Sequence, residues 1–183
     1  NDESRKMRLQ LMYRNAHRLL MLVNQLLDFR KGEMSSHHLS LSEGDIISYI
    51  QGVCDSFLLM ADKKQIHFSF FSSVDHFTMA FDADKMGKIV MNLLANAFKF
   101  TPEGGRVTVM LEHLQEENEV IEIKVADTGI GVSDEEKEHI FDRFYQTENK
   151  EAGENTGGTG IGLSLVKDFV TLHGGDVTVF DNI

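Results

Sequence analysis

The chain has 183 residues and a formal net charge of −11, and it is 42% hydrophobic and 26% charged. This length accommodates one domain with a full core and a helical appendage, and the composition is typical of a soluble globular protein. The excess of acidic residues argues against a nucleic-acid-binding surface, which needs clustered Lys and Arg. No apolar run approaches the roughly 20 residues of a membrane span. We therefore expect this part of the protein to bind neither nucleic acid nor membrane.

The first predicted element is a helix from residue 7 to about residue 31. Its apolar residues alternate spacings of three and four, at Leu9, Met12, Ala16, Leu19, Val23 and Leu26. Leu20 and Leu27 widen this heptad seam, which favours a helical bundle over a two-stranded coil. A helix packed on its own domain is the alternative. A polar stretch (32–44) follows, and we place the domain boundary there, between domains 1–38 and 39–183.

Helices and strands alternate beyond this boundary. The predicted elements are an apolar-periodic segment (45–61), strands at 66–71 and 76–82, a helix (83–100), a hairpin around QEEN, a short helix from Ser133 to about Asp142, a helix (161–172) and a final strand (176–180). The single cysteine, Cys54, is expected to be a small buried hydrophobe. This order predicts an α/β fold, a two-layer sandwich of a mixed sheet with helices on one face.

Two asparagines interrupt the apolar pattern of the predicted helix 83–100. Asn92 and Asn96, together with Lys99, fall at helical spacings that bring two amides and an amine near one face. An unpaired buried amide costs about 1–3 kcal/mol, so these side chains need partners, and a Mg²⁺ ion with phosphate oxygens would serve. The alternative is that both amides cap or bridge neighbouring backbone.

Two glycine-rich segments follow. In ADTGIGV (126–132), Asp127 can accept a hydrogen bond from an exocyclic amine, while Gly129 and Gly131 let the backbone approach a ring closely. An ordinary glycine turn is the alternative. The segment GGTGIGLSLV (157–166) opens a helix and presents free N–H groups and the positive end of the helix dipole to phosphate.

In this order and spacing, the three segments resemble the N, G1 and G2 boxes of sensor histidine kinases, and FDRFY (141–145) resembles the F box between them. The resemblance runs from about Leu41 to the last residue and extends to the ATPase superfamily shared with DNA gyrase, the heat-shock chaperone and mismatch-repair ATPases. The form NLLANAFKFTP (92–102) resembles a histidine kinase in particular. The front segment is similar to the second helix of a dimerisation and histidine-phosphotransfer domain, especially in hybrid two-component sensors.

The resemblance implies roles for individual positions. Those expected to contact nucleotide are Asn92, Asn96, Lys99, Phe100, Asp127, Gly129, Gly131, Arg143, Tyr145, Gly158, Thr159, Gly160, Gly162 and Leu163. Among them, Asn96 and Asn92 would bind Mg²⁺, Lys99 would contact phosphate, and Phe100 would line the adenine pocket. Asp127 would receive the adenine amino group above the two glycines that follow it.

The resemblance also implies an ATP lid over about residues 146–158. Phe141 and Phe144 would hold the lid, with Arg143 or Tyr145 near the phosphates, and the segment from Gly158 onwards would close over the phosphate chain. Plain core packing is the alternative for the two phenylalanines.

Some features depart from the family pattern. Sister ATPases carry a water-activating glutamate four positions before the metal-binding asparagine, where this sequence has Asn92. An amide cannot act as a general base, so the γ-phosphate should be kept for a protein nucleophile. None of the eight histidines is followed by an acidic residue, as the family's phosphoacceptor is. We therefore expect a chain trimmed at both ends, with its acceptor helix outside this sequence and no catalytic nucleophile of its own.

The expected function is that of a kinase domain using ATP and Mg²⁺, which donates the γ-phosphoryl group to a histidine on a dimerisation helix. The resemblance implies a homodimer through the front helix, contacts with its own dimerisation domain and a response-regulator receiver domain, and a cytosolic place in an inner-membrane sensor. One alternative is a catalytically silent nucleotide-sensing or scaffolding module. Another is a mere dimerisation element, which leaves the ordered motifs unexplained.

Overall fold

The computed structural model describes residues 8, 9, 12, 38–115, 119–146 and 159–182. The chain divides into two compact units, Asn1–His38 and Leu39–Ile183. In the first unit the described residues Arg8, Leu9 and Met12 are helical, and the rest of the predicted front helix lies outside the described residues. The elements of the second unit are β1 (Ser42–Asp45), α1 (Ile46–Asp55), α2 (Leu58–Lys64), β2 (His67–Ser72), β3 (Thr78–Phe81), α3 (Ala83–Phe100), β4 (Arg106–Gln115), β5 (Glu119–Asp127), α4 (Asp134–Lys137) and α5 (Gly162–Leu172).

The strands of the second unit pair in two groups. β1 and β3 are antiparallel, and the other three strands have the order β2-β4-β5. This second sheet is mixed, because β2 runs parallel to β4 whereas β4 runs antiparallel to β5. Its register places Val109 opposite both Phe70 and Val125. The hairpin and the mixed sheet predicted from the alternating pattern are confirmed.

The core lies between the mixed sheet and the helices. Along β4, Val107, Val109 and Leu111 are buried while the residues between them are more exposed, as the period of two in a strand requires. From α3, Phe98 is buried and its ring lies 5.2 Å from the ring of Phe68 on β2. The helical and strand periodicities thus bury one common set of apolar side chains, and the α/β prediction is confirmed.

The segment between the boundary and β2 differs in detail from the prediction. A short strand, β1, precedes the helical part, and the apolar-periodic stretch 45–61 forms two helices rather than one. The break falls at Ser56, whose hydroxyl donates to the carbonyl of Val53 at 2.6 Å. Such a bond to the preceding turn competes with helix continuation. Cys54 is buried as expected, and burial raises the pKa of its thiol to about 11.

Two elements near the C-terminus were predicted wrongly. The helix that starts after Ser133 has the expected capping box, but it ends at Lys137 instead of about Asp142. It has no buried residue, so no packing extends it. The segment 176–180 alternates half-buried and exposed residues as a strand would, yet it is not paired with a neighbouring strand. The alternation of apolar and polar residues indicates which face is buried, whereas a strand also needs hydrogen bonds to a neighbouring strand.

Across the part of the chain that the structure describes, no helix combines the length and the apolar character needed to cross a lipid bilayer.

Candidate functional site

The two asparagines of the candidate site lie on α3. This helix begins at Asp82, whose side chain accepts a hydrogen bond from the Lys85 amide as an N-cap, and its buried stripe includes Val90, Leu94 and Phe98. Asn92 and Asn96 are one turn apart beside this stripe, and both are half-buried.

The Asn92 amide is oriented by its own helix. Its nitrogen Nδ2 donates to the carbonyl of Lys88 at 2.8 Å. This bond uses the donor end of the amide, so Oδ1 keeps its capacity to accept a proton donor or bind a cation. The sequence left open whether this amide bridges neighbouring backbone. The nitrogen of Asn92 does so, while its oxygen can still accept another partner.

Lys99 and Phe100 follow at the end of α3. The Lys99 ammonium lies 4.4 Å from the centroid of the Phe100 ring, which is within cation–π distance. Both side chains are half-buried. The pair therefore holds a positive charge near the C-terminal end of the helix, one turn beyond Asn96.

Asp127 is the last residue of β5, and the loop after it is tightly built. Asp127 Oδ1 accepts a hydrogen bond from the Gly129 amide at 2.8 Å. A Cβ atom at Gly129 would lie 2.8 Å from the Phe100 carbonyl oxygen, so only glycine allows this approach. The loop therefore packs directly on the end of α3. Gly131 has φ +71°, a backbone conformation that favours glycine.

The second glycine segment meets α3 at a different point. A Cβ atom at Gly162, the first residue of α5, would lie 2.8 Å from Asn92 Oδ1. Gly160 has φ +69°, and its carbonyl accepts a hydrogen bond from the Phe144 amide at 2.8 Å. The Thr159 hydroxyl accepts from the Ile161 amide at 3.3 Å. Leu163 is half-buried on α5, and Gly158 lies outside the described residues.

The segment FDRFY lies against this glycine segment. Arg143 donates to the Asp168 carboxylate on α5 at 3.2 Å. The Tyr145 ring lies 5.7 Å from that of His139. Phe144 has φ +65° and is 59% exposed, and its backbone lies against Gly160. Phe141 is half-buried. The segment predicted to form an ATP lid lies outside the described residues from position 147 to position 158.

The structure thus brings the predicted residues together in pairs around α3. Gly162 lies against Asn92, Gly129 against Phe100, and Gly160 against the backbone of residues 144 and 145. At Gly131, by contrast, an added Cβ atom would meet nothing within 4 Å.

Two participating residues were missed in the sequence. Thr128 receives a hydrogen bond from the Arg106 amide at 2.9 Å and so ties the Asp127 loop to the start of β4. Threonine between a strand and a glycine often forms a turn through its hydroxyl, and this signal could have suggested the role of Thr128. Asp168, the partner of Arg143, is an exposed helical carboxylate with no sequence signal.

The chain is similar to a known protein family and to several of its members. A model described as histidine kinase-, DNA gyrase B- and HSP90-like ATPase matches residues 81–182. Hybrid signal transduction histidine kinase D of Dictyostelium discoideum is 41% identical over 173 residues, 93% of this chain and 11% of that protein. Sensor histidine kinase WalK of Bacillus subtilis is 32% identical over 171 residues, 92% of this chain and 27% of that protein.

A solved structure has the same fold over most of the chain. Full-length ShkA, determined in complex with AMPPNP, superposes with a TM-score of 0.78 at 30% identity, covering 91% of this chain and 33% of that one. The chain therefore spans between about a tenth and a third of the length of these relatives.

Proposed function

Because the chain belongs to the family of histidine kinase-, DNA gyrase B- and HSP90-like ATPases, we propose that residues 39–183 bind Mg-ATP and donate its γ-phosphoryl group to a histidine. The observation that carries the proposal is the convergence of both glycine segments on α3: Gly129 against Phe100 and Gly162 against Asn92. Phosphoryl transfer requires mainly positioning and charge neutralisation, which a site of amides, glycines and a lysine can supply.

In this proposal the adenine end of the nucleotide lies at the Asp127 loop. Asp127 accepts a hydrogen bond from the exocyclic amine, and Gly129 and Gly131 leave room for the ring. Support comes from the bond between Asp127 Oδ1 and the Gly129 amide, which fixes the carboxylate in the loop. Phe100 adds an apolar wall at the end of α3.

The phosphate end lies between α3 and the start of α5. The N-terminus of α5 offers N–H groups that no side chain caps among the described residues, and a positive dipole end. Gly162 lies against Asn92 there. Lys99 supplies a positive charge to the phosphates. Thr159, Leu163, Arg143 and Tyr145 border this end in the proposal.

Mg²⁺ fits the asparagine pair. Magnesium prefers oxygen ligands, and the bond from Asn92 Nδ2 to the Lys88 carbonyl leaves Oδ1 for a cation. Asn96, one turn along, is the second proposed ligand. The ion would neutralise phosphate charge during transfer.

The identity of residue 92 favours a kinase over a hydrolase. An amide at this position cannot remove a proton from water. The γ-phosphoryl group therefore passes to a nitrogen nucleophile, with a new P–N bond formed as the bond to the ADP oxygen breaks. The acceptor belongs to a dimerisation helix outside this sequence, and residues 1–38 comprise part of the second helix of that domain and a linker in this proposal. A homodimer, a receiver domain as partner and a cytosolic position in an inner-membrane sensor complete the proposal.

The direct test is incubation with radiolabelled ATP and Mg²⁺. The chain alone should acquire no acid-labile phosphate, because none of its eight histidines precedes an acidic residue. Addition of an intact dimerisation domain as a separate chain should give labelling of that chain only. Tight ATP binding without any labelling would instead favour the catalytically silent, nucleotide-sensing module.

A further inference from the structure

A buried carboxylate joins several segments at the start of α3. Asp82 is 3% exposed, and its Oδ2 accepts hydrogen bonds from the Ser40 amide at 2.9 Å and the Lys85 ammonium at 2.6 Å. Burial alone would raise the pKa of Asp82, but the hydrogen bonds from Lys85 and Ser40 lower it to about 2. The carboxylate is therefore ionised at neutral pH and holds residue 40 against the N-terminus of α3.

The backbone of the same residue bonds to the end of α5. The Asp82 amide donates to His173 Nε2 at 3.2 Å, and His173 Nδ1 donates to the Phe169 carbonyl at 2.7 Å. An amide N–H can only donate and a carbonyl can only accept, so the imidazole is neutral with its proton on Nδ1. His173 is the C-cap residue of α5, and its ring thus links the last turn of that helix to the first turn of α3.

α3 and α5 pack against each other, and two specific contacts lie well apart along that packing. At one end His173 bonds to Asp82, and at the other a Cβ atom at Gly162 would lie 2.8 Å from Asn92 Oδ1, so that side chain would have to shift. Asn92 is roughly 15 Å along the axis of α3 from Asp82, at 1.5 Å per residue. Because helices are stiff over such lengths, a shift of α5 at His173 changes the approach of Gly162 to α3.

We infer that His173 is a positioning residue for the nucleotide site. Its bond to the Asp82 amide sets the alignment of α5 on α3. The bond from the Ser40 amide to the Asp82 carboxylate ties this junction to the point where the chain enters the domain. Ser40 lies two residues after the last residue of the first unit. The inference rests on the proposed function, since the site that His173 aligns is the one proposed to take nucleotide.

Two substitutions separate the two bonds of the imidazole. His173→Gln keeps a carbonyl oxygen near the place of Nε2 and can still accept from Asp82. His173→Asn keeps an N–H donor near the place of Nδ1 for Phe169, but its carbonyl oxygen is too short to reach the Asp82 amide. We expect the Asn variant to bind Mg-ADP about three- to tenfold more weakly by calorimetry, as loss of one hydrogen bond implies, and the Gln variant to bind like the parent.

Ser56→Ala is the matched control. The Ser56 hydroxyl makes a similar bond within its own helix, to Val53, at the end of α1. Loss of that bond should lower the thermal midpoint without changing the affinity for Mg-ADP, which separates alignment of the site from general stability.

Amide hydrogen exchange at Leu165 gives a readout that needs no nucleotide. Its amide donates to the Ile161 carbonyl at 3.0 Å in the first turn of α5. Exchange there should be faster in the Asn variant and unchanged in the Gln variant. Parent-like binding and exchange in the Asn variant, or equal losses in both variants, would overturn the inference. If the parent itself binds no Mg-ADP, the proposed function fails, and Leu165 exchange alone decides the role of His173.

Discussion

At the scale of single residues, the packing of the site depends on two glycines, which have no Cβ atom. Gly129 and Gly162 each lie where a Cβ atom would meet α3 or its side chains. The sequence could predict that these glycines belong together, from their order and spacing. It could not predict which atoms they approach, because that depends on the position of α3 relative to two loops distant in sequence.

Gly129→Ala should destabilise the domain and weaken nucleotide binding. The new methyl carbon would lie 2.8 Å from the Phe100 carbonyl oxygen, and this backbone cannot move aside as a side chain could. Overpacking of this kind costs about 1–3 kcal/mol. Urea denaturation measures the loss.

Gly52→Ala is the control for this substitution. Gly52 lies within α1, and an added Cβ atom would meet nothing within 4 Å. Alanine should stabilise the helix by about 0.5–1 kcal/mol. Equal unfolding free energies for the Gly129 variant and the parent would show that the loop is not packed on α3 as described.

At the scale of elements, the two long helices of the second unit, α3 and α5, were predictable from the sequence, and the short ones were not. Helix α3 matches its prediction over 83–100 because its N-cap, its apolar stripe and the proline at position 102 all agree. The helix after Ser133 has only its capping box, and it stops at Lys137. Local signals specify where an element starts, whereas its length depends on tertiary packing.

The start of α1 carries a charge pair that the sequence did not suggest. Asp45 caps this helix and accepts hydrogen bonds from His76 Nδ1 at 2.7 Å and from the Phe77 amide at 3.0 Å. The hydrogen bond with Asp45 raises the pKa of His76, and the bond from His76 lowers the pKa of Asp45. The pair therefore links α1 to the segment before β3.

The sign of the pH dependence follows from these shifts. Stabilisation through His76 is fully present below the unfolded pKa of histidine, about 6.5, and is lost as the pH rises through its folded pKa. Stabilisation through Asp45 is present above about pH 4 and is lost as the pH falls through its lowered pKa.

An NMR titration of His76 checks this assignment. The midpoint should be above 6.5 in the parent and fall towards about 6.5 in Asp45→Asn, which removes the charge. Ser48→Ala is the control, since it removes the Ser48 hydroxyl bond to Asp45 while the carboxylate remains. Identical midpoints in the parent and the Asp45 variant would mean that the pair does not form.

At the scale of the whole molecule, the second unit has a core of its own, and the first unit carries the heptad seam predicted from the sequence. Two residues of that seam, Leu9 and Met12, are 61% and 66% exposed. Exposed leucine and methionine on a helix favour association with a partner helix.

The chain should therefore self-associate, and deletion of residues 1–31 should give a monomer. Light scattering at several concentrations measures the mass of both forms. A monomer with the front segment present would mean that the apolar stripe is buried within the chain, the alternative left open by its pattern.

The most direct test of the account is calorimetric titration of the chain with Mg-ADP, in the parent, Asp127→Ala and Arg143→Ala. Asp127 is proposed to hold the adenine in every position of the lid. Arg143, which is paired with Asp168, is proposed to border the phosphate end. We expect the parent to bind Mg-ADP. The affinity should fall about ten- to a hundredfold in the Asp127 variant and by less in the Arg143 variant. Equal affinity of the Asp127 variant and the parent, or no binding by the parent, would contradict it.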